Sequence, residues 1–67
     1  MPEENVGYRI TARAELGNGE AVVLGEKENR YVTWIYTNGS FFWGHYTEDR
    51  KGAYEDFFKR IRQSLDL

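Results

Sequence analysis

The sequence predicts an α+β fold, in which a four-stranded antiparallel sheet is followed by one C-terminal helix that packs on one face. Three observations support this β-β-β-β-α meander. Apolar and polar residues alternate from Tyr8 onward, as they do in strands with one buried face. Residues 17–19 are Gly-Asn-Gly and residues 38–39 are Asn-Gly, and both segments are typical of hairpin turns. Apolar residues after Thr47 recur every three or four positions, as in an amphipathic helix.

The length and charge of the chain limit its size and its partners. With 67 residues and no cysteine, we expect a single small α+β domain over residues 1–67, with residues 1–6 frayed. A domain of this size without disulfides commonly gains stability by oligomerising. The formal net charge of −2 argues against binding to nucleic acid through bulk positive charge. The polar start and the short apolar runs predict a cytoplasmic protein with no membrane partner.

The first hairpin is predicted from the apolar face of a strand beginning at Tyr8 and from the turn Gly17-Asn18-Gly19. These turn residues accept positive φ, so they predict a three-residue loop with Gly19 at a bulge. Small residues of the first strand then lie opposite larger residues of the second. The expected cross-strand pairs are Leu16 with Glu20, Ala14 with Val22, and Ala12 with Leu24. The charged segment Gly25–Arg30 is expected to connect this hairpin to the next strand.

The second hairpin is predicted from Asn38-Gly39, since a type I′ turn needs positive φ at both central positions. The turn fixes the register of the strands on either side. On one face the expected pairs are Tyr36 with Phe41, Trp34 with Trp43, and Val32 with His45. On the other face they are Ile35 with Phe42 and Thr33 with Gly44.

The C-terminal helix is predicted to be capped by Thr47, with acidic residues at its start and basic residues towards its end. Its apolar stripe comprises Tyr54, Phe57, Phe58, Ile61 and Leu65. We expect this stripe to cover the side of the sheet that carries Ile35 and Phe42.

Seven of the sixteen residues from Tyr31 to Tyr46 are aromatic, and one helix can cover only one face of the sheet. The second face is therefore expected to be open in a monomer, and an exposed apolar face usually marks a contact site. The predicted protein interface consists of Val32, Trp34, Tyr36, Phe41, Trp43 and His45. The expected partners are a second copy of the chain, in a homodimer or higher oligomer, and another protein.

His45 is the only histidine and the main candidate for catalysis. It could act as a general base with Glu48 or Asp49 beside it. A structural hydrogen bond or an interface role is the more common use of a strand histidine among aromatic residues. A metal site would need further ligands, and one histidine without cysteine leaves only carboxylates. We expect no catalytic residues, no metal and no cofactor, and hence a protein that is not an enzyme.

Binding of single-stranded nucleic acid is the alternative function. Proteins of that class stack bases on aromatic residues displayed from a sheet, with basic side chains meeting the phosphates. The stacking platform would be Trp34, Tyr36, Phe41 and Trp43, and the phosphate contacts Arg9, Arg13 and Arg30. The acidic balance of the chain makes this the second choice.

The string Tyr31-Val32-Thr33-Trp34, followed by Phe42-Trp43-Gly44-His45-Tyr46 and an acidic-capped helix, resembles short uncharacterised proteins of phage and accessory genomes of Gram-positive bacteria. The resemblance covers about half of the chain and carries no assigned activity. It implies a setting, because small phage proteins without catalytic equipment often occupy a surface on a host enzyme or defence complex. The resulting expectation is a phage-encoded inhibitor of a host defence protein.

Overall fold

Within residues 3–65, the sheet has five strands and a single helix follows it. The structure is a computed structural model that describes residues 3–65. Its elements are β1 (Glu4–Asn5), β2 (Tyr8–Gly17), β3 (Glu20–Lys27), β4 (Arg30–Thr37), β5 (Ser40–Thr47) and α1 (Arg50–Leu65). Strands adjacent in sequence pair antiparallel, so the sheet order is β1-β2-β3-β4-β5. The α+β class, the antiparallel sheet and the C-terminal helix are confirmed, whereas the prediction of four strands is wrong.

The additional strand is β1, which lies within the segment predicted to be frayed. Glu4 pairs with Arg9 and Asn5 pairs with Tyr8, through a tight turn at Val6 and Gly7. Two residues are too few to show the alternation by which a strand is recognised. The fraying prediction is therefore wrong at residues 4–5, and residues 1–2 lie outside the described part of the chain.

The first predicted hairpin is confirmed in most of its register and differs at its loop. Ala14 pairs with Val22 and Ala12 with Leu24, as expected. The predicted three-residue loop with a bulge at Gly19 is wrong. The loop has two residues, Asn18-Gly19, because Gly17 lies opposite Glu20, and the extra residue is Leu16 in β2. Asn18 and Gly19 have φ values of 43° and 84°, which a type I′ turn requires.

The connection predicted for Gly25–Arg30 is shorter than expected. Strand β3 continues to Lys27, which pairs directly with Arg30, so the turn contains only residues 28 and 29. Regular pairing therefore extends to the charged ends of both strands.

The second hairpin follows the prediction up to Phe42 and departs from it at Trp43. Tyr36 pairs with Phe41 and Ile35 with Phe42, as expected. A register shift follows, and His45 lies opposite Thr33 while Tyr46 lies opposite Val32. The predicted pairs Trp34 with Trp43, Val32 with His45 and Thr33 with Gly44 are wrong, because one extra residue in β5 reverses the side of every later side chain.

A further β-bulge lies at Thr11 in β2, towards the other edge of the sheet. Ile10 is opposite Gly25 and Ala12 is opposite Leu24, so Thr11 is the extra residue. The apolar residues of β2 were expected on one face and are instead divided between both. Tyr8 and Ile10 pack with one core cluster, and the later apolar residues of β2 pack with the other.

Helix α1 covers the sheet face that carries Ile35, as predicted. The core on this side contains Val22, Leu24, Tyr31, Ala53 and Phe57. The predicted apolar stripe of the helix is wrong at its margins, since Phe58 is 61% exposed and Leu65 is also exposed. Arg60 takes a place against the sheet and is only 8% exposed.

The opposite face, which was expected to be open, is closed around Trp34 and Val32. Trp34 is 3% exposed and Val32 is fully buried. The ring centroids of Tyr8 on β2 and Tyr46 on β5 are 5.9 Å apart, although β3 and β4 lie between these two strands in the sheet. A flat sheet would place β2 and β5 about 14 Å apart. The sheet therefore curls towards this face, and its outer strands supply the cover that the prediction did not anticipate.

Two glycines make room for the Trp34 indole. A Cβ atom at Gly44 would lie 2.7 Å from both Trp34 Nε1 and Tyr46 Cε1. A Cβ atom at Gly25 would lie 3.2 Å from the other edge of the same indole. The buried position of Trp34 thus depends on the absence of side chains at two places in neighbouring strands.

Candidate functional site

The six predicted interface residues do not form one open face. Val32 and Trp34 belong to the core. Tyr36 and Phe41 are half-buried beside it, with ring centroids 4.9 Å apart. Trp43 and His45 are exposed. The interface role of this set stays a prediction, and Val32 and Trp34 are inaccessible in the described monomer.

The exposed aromatic surface lies along β5 and centres on Trp43. Trp43 is 71% exposed, and its ring centroid lies 5.6 Å from that of Phe42, which is also exposed. Tyr46 is exposed as well and contacts Tyr8 and Trp34. We refer to Phe42 and Trp43 as the β5 aromatic pair. Phe42 and Tyr46 were absent from the predicted interface, because a regular strand would place both of them on the other face.

Trp43 has an unusual backbone conformation. Its φ is +52°, in the left-handed region that bulky L residues avoid. Such a conformation costs about 1–2 kcal/mol. The bulge therefore holds a large apolar side chain in solvent at the expense of backbone strain.

Strand β5 is also distinctive in its charge. It is the only one of the five described strands without an Asp, Glu, Lys or Arg residue. In the chain as a whole, 30% of the residues are charged. Edge strands usually carry charges that discourage association, and β5 carries none.

A polar network connects β4, β5 and α1 on the helix side of the sheet. Asp56 Oδ2 accepts hydrogen bonds from Thr33 Oγ1 at 2.6 Å and from His45 Nδ1 at 2.9 Å. Arg60 Nη1 donates to the Thr33 carbonyl oxygen at 3.0 Å and to Thr33 Oγ1 at 3.1 Å. The helix is thus fastened to two strands by directional contacts as well as by apolar packing.

The electrostatics of this network favour an ionised carboxylate at Asp56. Burial alone would raise the pKa of Asp56, but the hydrogen bonds from Thr33 and His45 and the charges of His45 and Arg60 outweigh it. The pKa of Asp56 consequently lies below its ordinary value. Burial lowers the pKa of Arg60, and the neighbouring Asp56 charge opposes that change.

The network fixes the orientation of the only imidazole. An ionised carboxylate only accepts hydrogen bonds, so Nδ1 of His45 is the donor and Nε2 is directed away from the pair. Asp56 is therefore the carboxylate bonded to His45, in place of Glu48 or Asp49. A small cavity of about 170 Å³ lies beside His45 and Asp56, bordered by Thr47 and the first turn of α1. No sequence signal pointed to Asp56, because the contact depends on how the helix docks.

The start of α1 is organised by two residues rather than by Thr47 alone. The Thr47 hydroxyl accepts a hydrogen bond from the Asp49 backbone N–H at 3.0 Å. The carbonyl of Asp49 accepts the first helical bond, from Ala53 N at 2.9 Å, which places Asp49 at the N-cap position. Thr47 thus closes the turn before the cap.

Two broader properties concern the described residues only. Between residues 3 and 65, no cluster of three or more His, Cys, Asp or Glu side chains is arranged to hold a metal ion. Helix α1 falls short of the length and apolar character that crossing a membrane requires.

These features define a small α+β domain with an aromatic pair displayed from an edge strand and an imidazole oriented by the helix. Comparison of the chain with protein-family models, with curated proteins and with solved structures found no match.

Proposed function

We propose that this protein is a non-enzymatic protein-binding module whose contact surface centres on the β5 aromatic pair. The observation that carries the proposal is Trp43, which is 71% exposed on a backbone with a φ of +52°. Neither burial nor turn formation explains that combination. Strained residues that persist in a fold are concentrated at binding and catalytic sites.

The chemistry of β5 supports a protein partner. Tryptophan and tyrosine are enriched among the residues that dominate binding energy at protein interfaces. The absence of charge in β5 lets an apolar partner surface approach without desolvating an ion. The partner is another protein or a second copy of the chain, and the same surface could bind each of them at different times. The resemblance to short phage proteins extends this proposal to inhibition of a host defence protein.

Single-stranded nucleic acid is the alternative partner. Its support is the same exposed pair, since bases stack on aromatic rings. The platform predicted from the sequence is reduced, however, because Trp34 lies in the core. The net charge of −2 also gives little attraction for phosphate.

The test compares Trp43→Ala with Phe58→Ala. Phe58 is a matched control, because it is a similarly exposed aromatic residue on α1. Each variant is immobilised and exposed to lysate from a bacterial host, and its mass in solution is measured by light scattering. We expect Trp43→Ala to lose a stoichiometric protein partner or the oligomer, while Phe58→Ala keeps it. Equal behaviour of the two variants and the wild type would refute the assignment of the surface.

Salt separates the two partner classes. Binding to phosphate weakens steeply between about 50 and 200 mM salt, whereas a mainly apolar protein interface changes little. Recovery of nuclease-sensitive RNA or DNA without a stoichiometric protein would favour the alternative.

A further inference from the structure

A cleft lies between the two terminal strands of the curled sheet. Residues 4–6 border it on one side and residues 39–41 on the other, with Trp34 and Tyr46 behind. Its volume is about 570 Å³, and it is an open groove rather than an enclosed pocket. Strands β1 and β5 are the two ends of the sheet order and do not pair with each other.

The two borders of the cleft offer backbone hydrogen bonds. A terminal strand carries N–H and C=O groups that no neighbouring strand satisfies. This stretch is short on β1, which has two residues, and longer on β5, which has eight. An extended polypeptide supplies the matching groups, and adding a strand to an exposed edge is a recurrent mode of peptide binding. The open groove and the backbone edges beside it thus fit a peptide strand better than a compact small molecule.

The turn at the rim of the cleft does not require a valine at position 6. Val6 occupies the first position of a two-residue turn, where the other three hairpins have Asn18, Glu28 and Asn38, and it is the only β-branched residue among the four. Its φ is +44°, an outlier for a β-branched residue, and its side chain is 68% exposed. Asparagine would form the turn with less strain. A contact with an apolar group in the cleft gives a reason for valine at this position.

Charge indicates the chemistry of the peptide. Among residues 3–65, Glu4 is the only charged residue that borders the cleft, and the apolar side chains at its two rims are Val6 and Phe41, with Trp34 and Tyr46 behind them. We propose that the cleft binds an extended segment of a partner protein, with an apolar side chain against Val6 and Phe41 and a Lys or Arg near Glu4. This inference rests on the proposed protein-binding function and names the form in which part of the partner is recognised.

The test uses two synthetic six-residue peptides of alternating composition, one of Lys and Val and one of Glu and Val, with both ends blocked. Each is titrated into the ¹⁵N-labelled full chain and followed by amide NMR. We expect saturable shifts at residues 4–6 and 40–42 with the Lys peptide, and binding at least about tenfold weaker with the Glu peptide. Shifts confined to scattered acidic residues, or no shifts with either peptide, would overturn the proposal.

Two variants sharpen the result. Val6→Asn suits the turn, so it keeps the fold, and we expect it to weaken the Lys peptide by about tenfold. Glu4→Gln should reduce the preference for Lys over Glu while the Lys peptide still binds. Unchanged affinity in Val6→Asn would contradict the proposed contact.

A third variant, Trp43→Ala, separates the proposed peptide cleft from the proposed protein-binding surface on β5. This variant should still bind the Lys peptide. If the protein has a partner whose binding depends on Trp43 but binds neither peptide, the cleft proposal is wrong and the proposed function stands.

Discussion

Oδ2 of Asp56 accepts a hydrogen bond from Nδ1 of His45 at 2.9 Å, which fastens the helix to the edge strand β5. The same oxygen accepts the Thr33 hydroxyl, so a single carboxylate joins three elements. Its ionisation therefore affects how firmly the helix is docked.

Acid should weaken the fold through Asp56. Folding lowers the pKa of this carboxyl, so the unfolded chain takes up the proton at a higher pH than the folded chain does. The stability it contributes is present above the ordinary pKa of 3.8 and is lost as the pH falls through the lower folded value. The difference in unfolding free energy between wild type and Asp56→Asn, measured with urea, should shrink between about pH 5 and pH 2. The exposed neighbour variant Glu55→Gln serves as the control, and a constant difference for Asp56→Asn would contradict the prediction.

Replacement of Arg60 should destabilise the protein more than replacement of a nearby exposed arginine. Arg60→Met keeps most of the side-chain volume but removes the donor to Thr33. We expect a loss of about 1–3 kcal/mol in unfolding free energy, because Thr33 and Asp56 lose a charged partner. Arg62→Met, at an exposed position, should change it by less than about 0.5 kcal/mol. Equal losses in both variants would show that the Arg60 contacts contribute nothing.

A methyl group at Gly44 should displace the Trp34 indole. The Cβ atom of Gly44→Ala would approach Trp34 Nε1 and Tyr46 Cε1 to 2.7 Å, so one of the rings must move. We expect a loss of about 1–3 kcal/mol and a changed near-ultraviolet circular dichroism spectrum from the aromatic core. Ser40→Ala, on the same strand and exposed, provides the comparison. A spectrum identical to that of the wild type would mean that the indole has more room than the geometry indicates.

Removal of the tryptophan at position 43 should not destabilise the monomer. Trp43→Asn places a residue that accepts left-handed φ where an exposed indole stood, so stability should stay constant or rise by up to about 1 kcal/mol. Trp43→Val keeps the strain and adds a branched Cβ, so it should be less stable than Trp43→Asn. Thermal unfolding of the two variants measures this difference directly. Equal melting temperatures would argue against strain at this position.

The Asn38-Gly39 turn and the helix were predictable from the sequence because local chemistry determines them. Asn38-Gly39 supplies the positive φ that a tight hairpin needs, and it sets the register of the residues next to it. At Asn18-Gly19 the same chemistry indicated the position of the turn but not the length of its loop. The spacing of Tyr54, Phe57 and Ile61 likewise indicated the helix and the face it buries.

The bulges and the polar network were not predictable, because they arise from packing over longer distances. Thr11 and Trp43 are not residue types typical of turns or bulges. Whether a strand stays regular or forms a bulge at such a position depends on how the sheet curls. Arg60 was expected only as one of the basic residues towards the end of the helix, where the helix dipole favours positive charge. Its partner Thr33 lies 27 residues earlier, in a strand whose facing residues only the fold defines.

The bulge at Trp43 adds one residue to β5 beyond what the pairing with β4 needs. In a chain without residue 43, Gly44 alone would lie opposite Trp34, while His45 would still lie opposite Thr33 and Tyr46 opposite Val32. The imidazole would therefore stay on the helix side, and the phenol ring would stay beside the aromatic core. Residue 43 thus behaves as an insertion that adds an indole to the surface and leaves the faces of the later side chains as they are. A variant that lacks this residue should keep both sides of the sheet and lose only the exposed ring.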